Sequence, residues 1–296
     1  KVDKKKIDIF YLGLPKCGST WLYEIMKKSN NVVTSKPRDL HFFDLYYERG
    51  ENWFHNFFNY AYSKKKSASI DICHDYILNK NSIPNILKYS SDAKIIYHFR
   101  DPVKLINSLY QETSLSGFIY FKELGYYKPT SKEEFLKHPL VRKIINFNFH
   151  INQIMENFKK ENILIFSTEY IFNDQKRYLK ILNLNFKIDI EENTITNNII
   201  RPNSYRFFGF KFLIRFFSYI SFLIRRNGSF FLMKLISLKS IFNSYTSINK
   251  ERVNNKKISK TKIFEDSLIA ELFISVNGCN YSDFISKFSN KIKIFN

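Results

Sequence analysis

The sequence predicts an α/β fold with three layers, in which a central parallel sheet is flanked by helices and a helical part follows at the carboxyl terminus. Two observations predict this fold. Short apolar, β-rich segments alternate with segments of helical character, and a loop rich in glycine and proline joins the first strand candidate to the first helix. Alternating strands and helices are typical of parallel sheets. The 296 residues suffice for one substantial core, so we expect a single domain over residues 1–296.

Four strands are predicted, at residues 7–12, 69–72, 94–99 and 163–166, because each is a short apolar run that leads into a loop. A helix over residues 19–28 follows the first of them. Parallel sheets bind ligands beyond the carboxyl ends of their strands. We therefore expect the functional site at the loops that follow the first and third predicted strands.

The second half of the chain is predicted to be mainly helical. Residues 131–161 indicate one or two helices with a helix start at Pro139, because proline is favoured in a first helical turn. Residues 263–288 indicate helical segments on either side of a turn at Gly278. Both regions are expected to pack against the sheet or against each other.

Residues 207–226, within a variable helical region over 207–247, combine many Phe, Ile and Leu residues with several basic ones. The basic residues interrupt the segment too often for it to span a bilayer. One interpretation is a helix packed on the domain with a solvated basic stripe. Another is a basic amphipathic helix that lies on a membrane surface or covers an acidic substrate. The polar, basic residues 249–262 are expected to form an exposed loop.

The composition favours anionic partners and excludes a disulfide scaffold. Lys and Arg number 47 against 27 Asp and Glu, a net charge of +20, which favours a nucleotide, an acidic polymer, nucleic acid or a membrane surface without choosing among them. The three cysteines, Cys17, Cys73 and Cys279, are too few for a disulfide framework, and no two have the short spacing of a zinc site. Because no apolar signal segment follows the charged amino terminus, we expect a cytoplasmic protein.

The strongest signal is the loop GLPKCGSTW, residues 13–21, between the first predicted strand and the first helix. Backbone N–H groups and the helix dipole at such a place bind oxyanions without a metal. A Walker loop has lysine directly after its second glycine, whereas here that position is Ser19 and the lysine is Lys16 within the loop. No acidic strand end suited to holding Mg²⁺ follows the apolar strands. The pattern favours phosphate or sulfate bound without a metal.

Residues 15–22, PKCGSTWL, resemble the PKCGTTWL-type 5′-phosphosulfate loop of sulfotransferases that use 3′-phosphoadenosine 5′-phosphosulfate (PAPS). The resemblance implies a P-loop-like fold, transfer of a sulfuryl group from PAPS to a hydroxyl or amine, 3′-phosphoadenosine 5′-phosphate (PAP) as product, and no metal requirement. It implies a catalytic role for Lys16. The residues that it implies for binding the nucleotide in this loop are Lys16, Cys17, Gly18, Ser19, Thr20 and Trp21.

Residues 95–102, IIYHFRDP, with a serine on the following helix, resemble the 3′-phosphate element of the same family. The resemblance implies that Arg100 and Ser108 bind the 3′-phosphate. An arginine suits this role because its paired N–H donors match phosphate geometry.

Residues 38–44, RDLHFFD, resemble the Lys-Glu-x-His-Phe-Phe-Asp segment of the heparan sulfate type and of many bacterial sulfotransferases. The resemblance implies that Asp39 is the general base, which must reach the acceptor hydroxyl within hydrogen-bond distance. Two alternatives stay open for His41: it serves as the base, oriented by Asp39 or Asp44, or it only holds the loop.

Residues 71–76, DICHDY, stand where the family has Glu-Lys-Ser-Pro-x-Tyr, and only Tyr76 and the acidic Asp71 are retained. His74 is consequently an additional candidate for binding the acceptor. With Asp44 and Tyr76 it completes the predicted acceptor side of the site.

The acceptor is expected to be a glycan or a small hydroxylated metabolite, and nucleic acid is not expected as a partner. A peripheral contact with a membrane surface is compatible with residues 207–226. Residues 201–206 resemble the segment that precedes a variable helical region in bacterial sulfotransferases. Two other functions compete: a P-loop kinase or NTPase, and a basic module without catalytic activity that binds nucleic acid or membranes.

Overall fold

A computed structural model describes residues 6–58, 68–116, 119–121, 125–127, 131–195, 216, 219–220, 223–224, 263–289 and 294–295. The strands are β1 (Ile9–Tyr11), β2 (Val32–Thr34), β3 (Ala68–Ile72), β4 (Lys94–Phe99), β5 (Ile119–Phe121), β6 (Gly125–Tyr127), β7 (Ile163–Ser167) and β8 (Ile294–Phe295). The helices are α1 (Ser19–Lys28), α2 (Gly50–His55), α3 (Ser82–Tyr89), α4 (Pro102–Ser116), α5 (Lys132–Lys137), α6 (Pro139–Ile144), α7 (Phe147–Asn157), α8 (Thr168–Asn173), α9 (Gln175–Phe186), α10 (Asp266–Asn277) and α11 (Tyr281–Ser289).

The central sheet has six parallel strands in the order β2-β3-β1-β4-β7-β8. β1 lies in the middle of the sheet, where Ile9 pairs with Ile70 of β3 on one side and with Lys94 of β4 on the other. Its carboxyl end therefore opens between those of β3 and β4, which is where ligands bind to parallel sheets. β5 and β6 form a separate antiparallel pair.

The two faces of the sheet bury two separate apolar clusters, because successive side chains of a strand point to opposite faces. Phe10 and Tyr97 face the cluster that includes side chains of α3, α4, α7, α10 and α11. Ile9, Tyr11 and Ile96 face the cluster that includes side chains of α1, α8 and α9. Helices thus cover both faces, and the prediction of a three-layer α/β fold with a helical carboxyl-terminal part is confirmed.

The structure also differs from the prediction in places. β2, β5, β6 and β8 were not predicted, since runs of two or three residues carry no usable periodicity. Residues 131–161 form three helices rather than one or two. α6 begins at Pro139 as predicted, where His138 Nδ1 accepts from the backbone N–H of Leu140 at 3.2 Å, and α7 begins after Asn146, which accepts from Phe149.

The carboxyl-terminal helices are attached to the layer that covers the first face. Asn277, at the end of α10, accepts a hydrogen bond from the backbone N–H of Asn148 at 3.0 Å and donates to the carbonyl of Ile145 at 2.9 Å. Gly278 follows in the left-handed conformation (φ 71°) and ends α10, so the predicted turn is present. Within the part of the chain that the structure describes, no helix is both long and apolar enough to cross a bilayer.

Three predicted regions lie outside the described residues. They are residues 201–206, the expected loop at 249–262, and the segment 207–247 apart from residues 216, 219–220 and 223–224, which are helical.

Candidate active site

The anion-binding loop lies where β1 meets α1. Two residues of the loop adopt the left-handed conformation, Lys16 at φ 65° and Gly18 at φ 91°. Gly18 caps α1, no side chain caps the helix, and its first turn contains no acidic residue. The first backbone N–H groups of a helix have no partner within the helix, so those of Ser19 to Trp21 suit an anionic ligand.

Gly13 is required by a close approach of the backbone. A Cβ atom at this position would lie 2.5 Å from the ring of Tyr11 and 2.9 Å from the backbone nitrogen of His98. His98 connects the loop to the helix α9. Its Nδ1 lies 3.2 Å from the carbonyl oxygen of Cys17, and its Nε2 lies 3.0 Å from the hydroxyl of Tyr178. Burial lowers the pKa of His98 to about 3, so the ring is neutral at physiological pH, donating to Cys17 and accepting from Tyr178.

Arg100 joins the second predicted motif to this loop. Its guanidinium donates to the carbonyl oxygen of Lys16 at 3.3 Å, which places the carboxyl end of β4 against the loop. Nε of Arg100 and Nε1 of Trp21 are buried and have no hydrogen-bond partner among the residues that the structure describes. These donors and the first-turn amides fit a ligand with several anionic oxygens.

Lys16 points toward α4, the helix that follows Arg100. Its Nζ lies 3.3 Å from Oε2 of Glu112, and the lysine side chain is 15% exposed. Ser108 lies on α4 one turn before Glu112, and residues four apart on a helix share a face. The structure therefore brings Lys16 and Arg100 together, and it places Ser108 on the helix that Lys16 contacts.

Cys17, also predicted to bind the nucleotide, is fully buried beneath the loop. Burial raises the pKa of its thiol to about 12, partly offset by the nearby Arg100. The thiol therefore remains protonated and contributes packing and a backbone position rather than charge.

The predicted acceptor side is built from two loops, which follow β2 and β3. Asp39 in the first loop donates its backbone N–H to the carbonyl oxygen of Ile72 at 2.9 Å. Arg38 beside it reaches the anion-binding loop, donating to Ser19 Oγ at 3.3 Å, and its Nε lies 3.3 Å from Asp39 Oδ2. The segment predicted to carry the base thus contacts the loop predicted to carry the phosphosulfate.

His74 and Asp39 form a close pair. Nδ1 of His74 lies 2.9 Å from Asp39 Oδ1, and its Nε2 lies 3.5 Å from Asp75 Oδ1. Burial alone would lower the pKa of His74, but the carboxylates of Asp75 and Asp39 outweigh it and raise that pKa. The His74 side chain is 26% exposed and that of Asp39 is 4% exposed, so the imidazole is the more accessible of the two.

His41 is more enclosed than His74, with 11% of its side chain exposed. Its Nδ1 lies 2.9 Å from Asp44 Oδ2 and 3.6 Å from Cys73 Sγ, and its Nε2 lies 3.9 Å from Asp75 Oδ2. His41 adopts the left-handed conformation (φ 55°) and precedes a π-helical turn over Phe42–Tyr46. The structure therefore brings His41 and Asp44 together as predicted, and adds two residues that the sequence patterns did not single out, Cys73 and Asp75.

Tyr76, a predicted acceptor-binding residue, is not accessible to an acceptor. It is fully buried, and its hydroxyl donates to Asp71 Oδ2 at 2.7 Å. Burial raises the pKa of Asp71 to about 7, although the hydrogen bond from Tyr76 opposes the shift. The pair supports the floor of the acceptor loop.

Arg38, Asp75 and Glu112 were absent from the predicted site. Arg38 is next to Asp39 and Asp75 is next to His74, so this proximity in sequence could have identified them as site residues. For Glu112 the sequence offered only one indication, its spacing of four residues from Ser108 on the same helix. Its contact with Lys16 depends on how α4 packs.

Comparison with known proteins gives a consistent result. A family model described as "Sulfotransferase domain" matches residues 6–201. The chain is 28% identical over 100 residues to the membrane-associated sulfotransferase kil1 of Dictyostelium discoideum. That match covers 33% of this chain and 21% of the relative, so the chain spans well under two thirds of that protein's length.

Solved structures resemble the fold. A sulfotransferase from Alicyclobacillus acidocaldarius superposes with a TM-score of 0.52 at 16% identity, over 63% of this chain and 83% of that one. A sulfotransferase domain from the curacin biosynthetic pathway gives a TM-score of 0.48 at 14% identity, over 65% and 77% of the two chains. At these identities the likeness concerns the fold.

Proposed function

Because this chain belongs to the sulfotransferase domain family, we propose that it transfers a sulfuryl group from PAPS to a hydroxyl or amine of an acceptor. The observation that carries the proposal is the joined anion site. The open amino terminus of α1, the left-handed loop at Lys16 and the guanidinium of Arg100 meet at one edge of the sheet. A donor with a 5′-phosphosulfate and a 3′-phosphate needs two such anion sites connected to each other.

In this proposal the loop from Lys16 to Trp21 binds the 5′-phosphosulfate, and Arg100 with Ser108 binds the 3′-phosphate. Negative charge grows on the bridging oxygen as the bond from sulfur to that oxygen breaks. Lys16 and the loop amides then stabilise the transition state more than the ground state. Glu112, which contacts Lys16 at 3.3 Å, fixes the direction of the lysine side chain before the donor arrives.

We assign the general base to His74, with Asp39 orienting it. Nδ1 of His74 is held by the largely buried Asp39, while the ring remains partly exposed. A base must reach the acceptor hydroxyl directly. Asp39 meets that requirement less well because only 4% of its side chain is exposed, against 26% for His74. His41 is enclosed by Asp44, Cys73 and Asp75.

The acceptor is a glycan or a small hydroxylated metabolite whose reacting group is surrounded by uncharged atoms. The two acceptor loops bring together three aspartates: Asp39, Asp44 and Asp75. A carboxylate or sulfate on the acceptor next to the reacting hydroxyl would meet this negative charge, although the chain as a whole is basic.

Transfer is tested directly with PAPS labelled in its sulfuryl group and a panel of acceptors. The panel contains neutral oligosaccharides, phenols, aliphatic alcohols, amines and their carboxylated or sulfated counterparts. The readouts are PAP release and label in the acceptor. We expect transfer to at least one neutral acceptor, weaker transfer to its anionic counterpart, and a rate at least about 10²-fold lower with the Lys16→Ala variant. Stabilisation by ATP with Mg²⁺ but not by PAPS or PAP would overturn the proposal in favour of a kinase or NTPase.

A further inference from the structure

We propose that His41, Asp44 and Cys73 form a zinc-binding site on the acceptor side of the protein. One ligand atom from each residue, an imidazole nitrogen, a carboxylate oxygen and a thiol sulfur, lies within 4.8 Å of the other two. The cysteine spacing in the sequence did not indicate this group. Its members come from two loops, one after β2 and one after β3. The site is independent of the donor assignment, but it shares Asp44 with the group of aspartates on which the acceptor proposal rests.

The distances from His41 to its two neighbours are close to those of a tetrahedral metal site. With zinc–ligand bonds of about 2.0–2.3 Å, neighbouring ligand atoms lie about 3.2–3.7 Å apart. Cys73 Sγ and His41 Nδ1 are already 3.6 Å apart. His41 Nδ1 and Asp44 Oδ2 are 2.9 Å apart, so these two atoms would separate by about half an ångström on binding.

Asp44 supplies an independent indication of a missing partner. Its side chain is 5% exposed, and Oδ1 is buried without a hydrogen-bond partner among the residues that the structure describes. A buried carboxylate oxygen without a partner is costly. A cation bound by this carboxylate removes the cost.

The surroundings of His41 also match those of a metal ligand. Histidines that bind metals usually direct their second ring nitrogen toward a carboxylate or carbonyl. Here Nδ1 faces Asp44 and Cys73, while Nε2 lies 3.9 Å from Asp75 Oδ2. The left-handed conformation of His41 and the π-helical turn after it place His41 and Asp44 side by side.

The ligand types select zinc over other abundant divalent ions. A thiolate with an imidazole and a carboxylate suits Zn²⁺, whereas Mg²⁺ and Ca²⁺ prefer sites made only of oxygen. Cys73 must bind as the thiolate, so binding exchanges its thiol proton for the metal and releases the proton to solvent. Three protein ligands leave a fourth position for water or another group.

The test uses the full chain, stripped of metal with a chelator and dialysed against Zn²⁺. We expect about one zinc per chain by elemental analysis, a thiolate-to-cobalt charge-transfer band when Co²⁺ replaces Zn²⁺, and no comparable binding of Mg²⁺. Cys73→Ser should remove the cobalt band and weaken zinc binding by at least about tenfold. Cys279→Ser is the matched control, because Cys279 lies outside the cluster, and should leave zinc binding and the cobalt band unchanged.

Asp44→Asn serves as a second variant in case Cys73→Ser does not fold, as judged by circular dichroism. It keeps the shape of the side chain but removes the anionic ligand, so zinc affinity should again fall at least about tenfold. The proposal is overturned if the folded Cys73→Ser or Asp44→Asn variant binds zinc as tightly as the unmodified protein. It is equally overturned if wild-type protein binds no zinc or shows no charge-transfer band with Co²⁺.

Discussion

Lys16 connects the predicted anion-binding loop to Arg100 and to α4 through two different atoms. Its carbonyl oxygen accepts a hydrogen bond from Arg100, and its Nζ lies 3.3 Å from Glu112. The backbone of this residue thus joins the two halves of the proposed nucleotide site, while the side chain provides the charge. Substituting the side chain separates these two contributions.

Lys16→Ala should abolish most of the turnover while leaving the fold intact. Loss of one preorganised donor to a developing oxyanion typically costs about 10²-fold or more in rate. Transfer from PAPS would be measured beside the melting temperature and circular dichroism. Lys137→Ala is the control, because Lys137 is an exposed lysine in an ion pair with Glu133, and it should keep the wild-type rate. A Lys16→Ala rate close to that of the control would contradict the proposed role.

His74→Asn should lower turnover by about 10²- to 10⁴-fold, the usual contribution of a general base, with little change in PAP affinity. Asp39→Asn should depress turnover far more than PAP affinity as well, because Asp39 orients His74. The comparison is His41→Asn, a substitution of the enclosed imidazole. If His41→Asn loses the rate while His74→Asn retains it, the base is His41, the alternative drawn from the sequence.

The individual site residues were predictable to the extent that they belong to continuous motifs. Lys16 and Arg100 lie in strand-to-helix turns, and the structure places them in contact. Ser108 lies on α4, and its proposed role stays a prediction. The contacts of His41 with Cys73 and of His74 with Asp39 were not predictable in the same way. They depend on the packing of the loop after β2 against the loop after β3, which local sequence does not encode.

At the scale of elements, the turn from β1 to α1 depends on its glycines for different reasons. Gly18 needs the left-handed conformation at the start of α1, whereas Gly13 has neighbours too close for any side chain. The neutral His98 behind the loop joins β4 to Cys17 and to Tyr178 of α9. The loop is therefore supported by the sheet and by one of the covering helices.

Gly13→Ala should destabilise the protein by about 3 kcal/mol, the upper end of typical overpacking costs, since the added Cβ meets the Tyr11 ring and the His98 backbone. Gly278→Ala is the matched control: it has a positive φ but nothing within 4 Å of its Cβ, so the expected cost is about 1 kcal/mol. Urea unfolding of both variants measures the two free energies. If the two variants lose the same free energy of unfolding, the atoms around Gly13 move aside to admit the methyl group and the prediction is wrong.

The elements themselves were predictable where their sequence pattern is long. β4 and α1 match their predicted bounds, because a six-residue apolar strand and an amphipathic ten-residue helix give clear periodicity. The breaks between α5, α6 and α7 were only partly predicted. Pro139 marks one of them, but the other depends on Asn146 accepting from the backbone of Phe149, which competes with continued helix.

For the molecule as a whole, the charge is unevenly divided. The chain carries a net charge of +20, yet the two acceptor loops concentrate aspartates beside a loop built for anions. Bulk basicity alone suggested nucleic acid or membrane as readily as a nucleotide. The proposals of an anionic donor and of an acceptor without charge near its reacting group rest instead on where the charges lie.

Calorimetric titration of the protein with PAP in excess EDTA, at low and high salt, is the most direct test of the proposed nucleotide site. We predict saturable binding at one PAP per chain that persists without divalent ions and is weakened by Lys16→Ala and by Arg100→Ala. Binding driven mainly by bulk charge would instead fade steeply with salt and ignore both substitutions. If the folded protein gives no heat of binding with either PAP or PAPS, the proposal that PAPS is the sulfuryl donor is wrong.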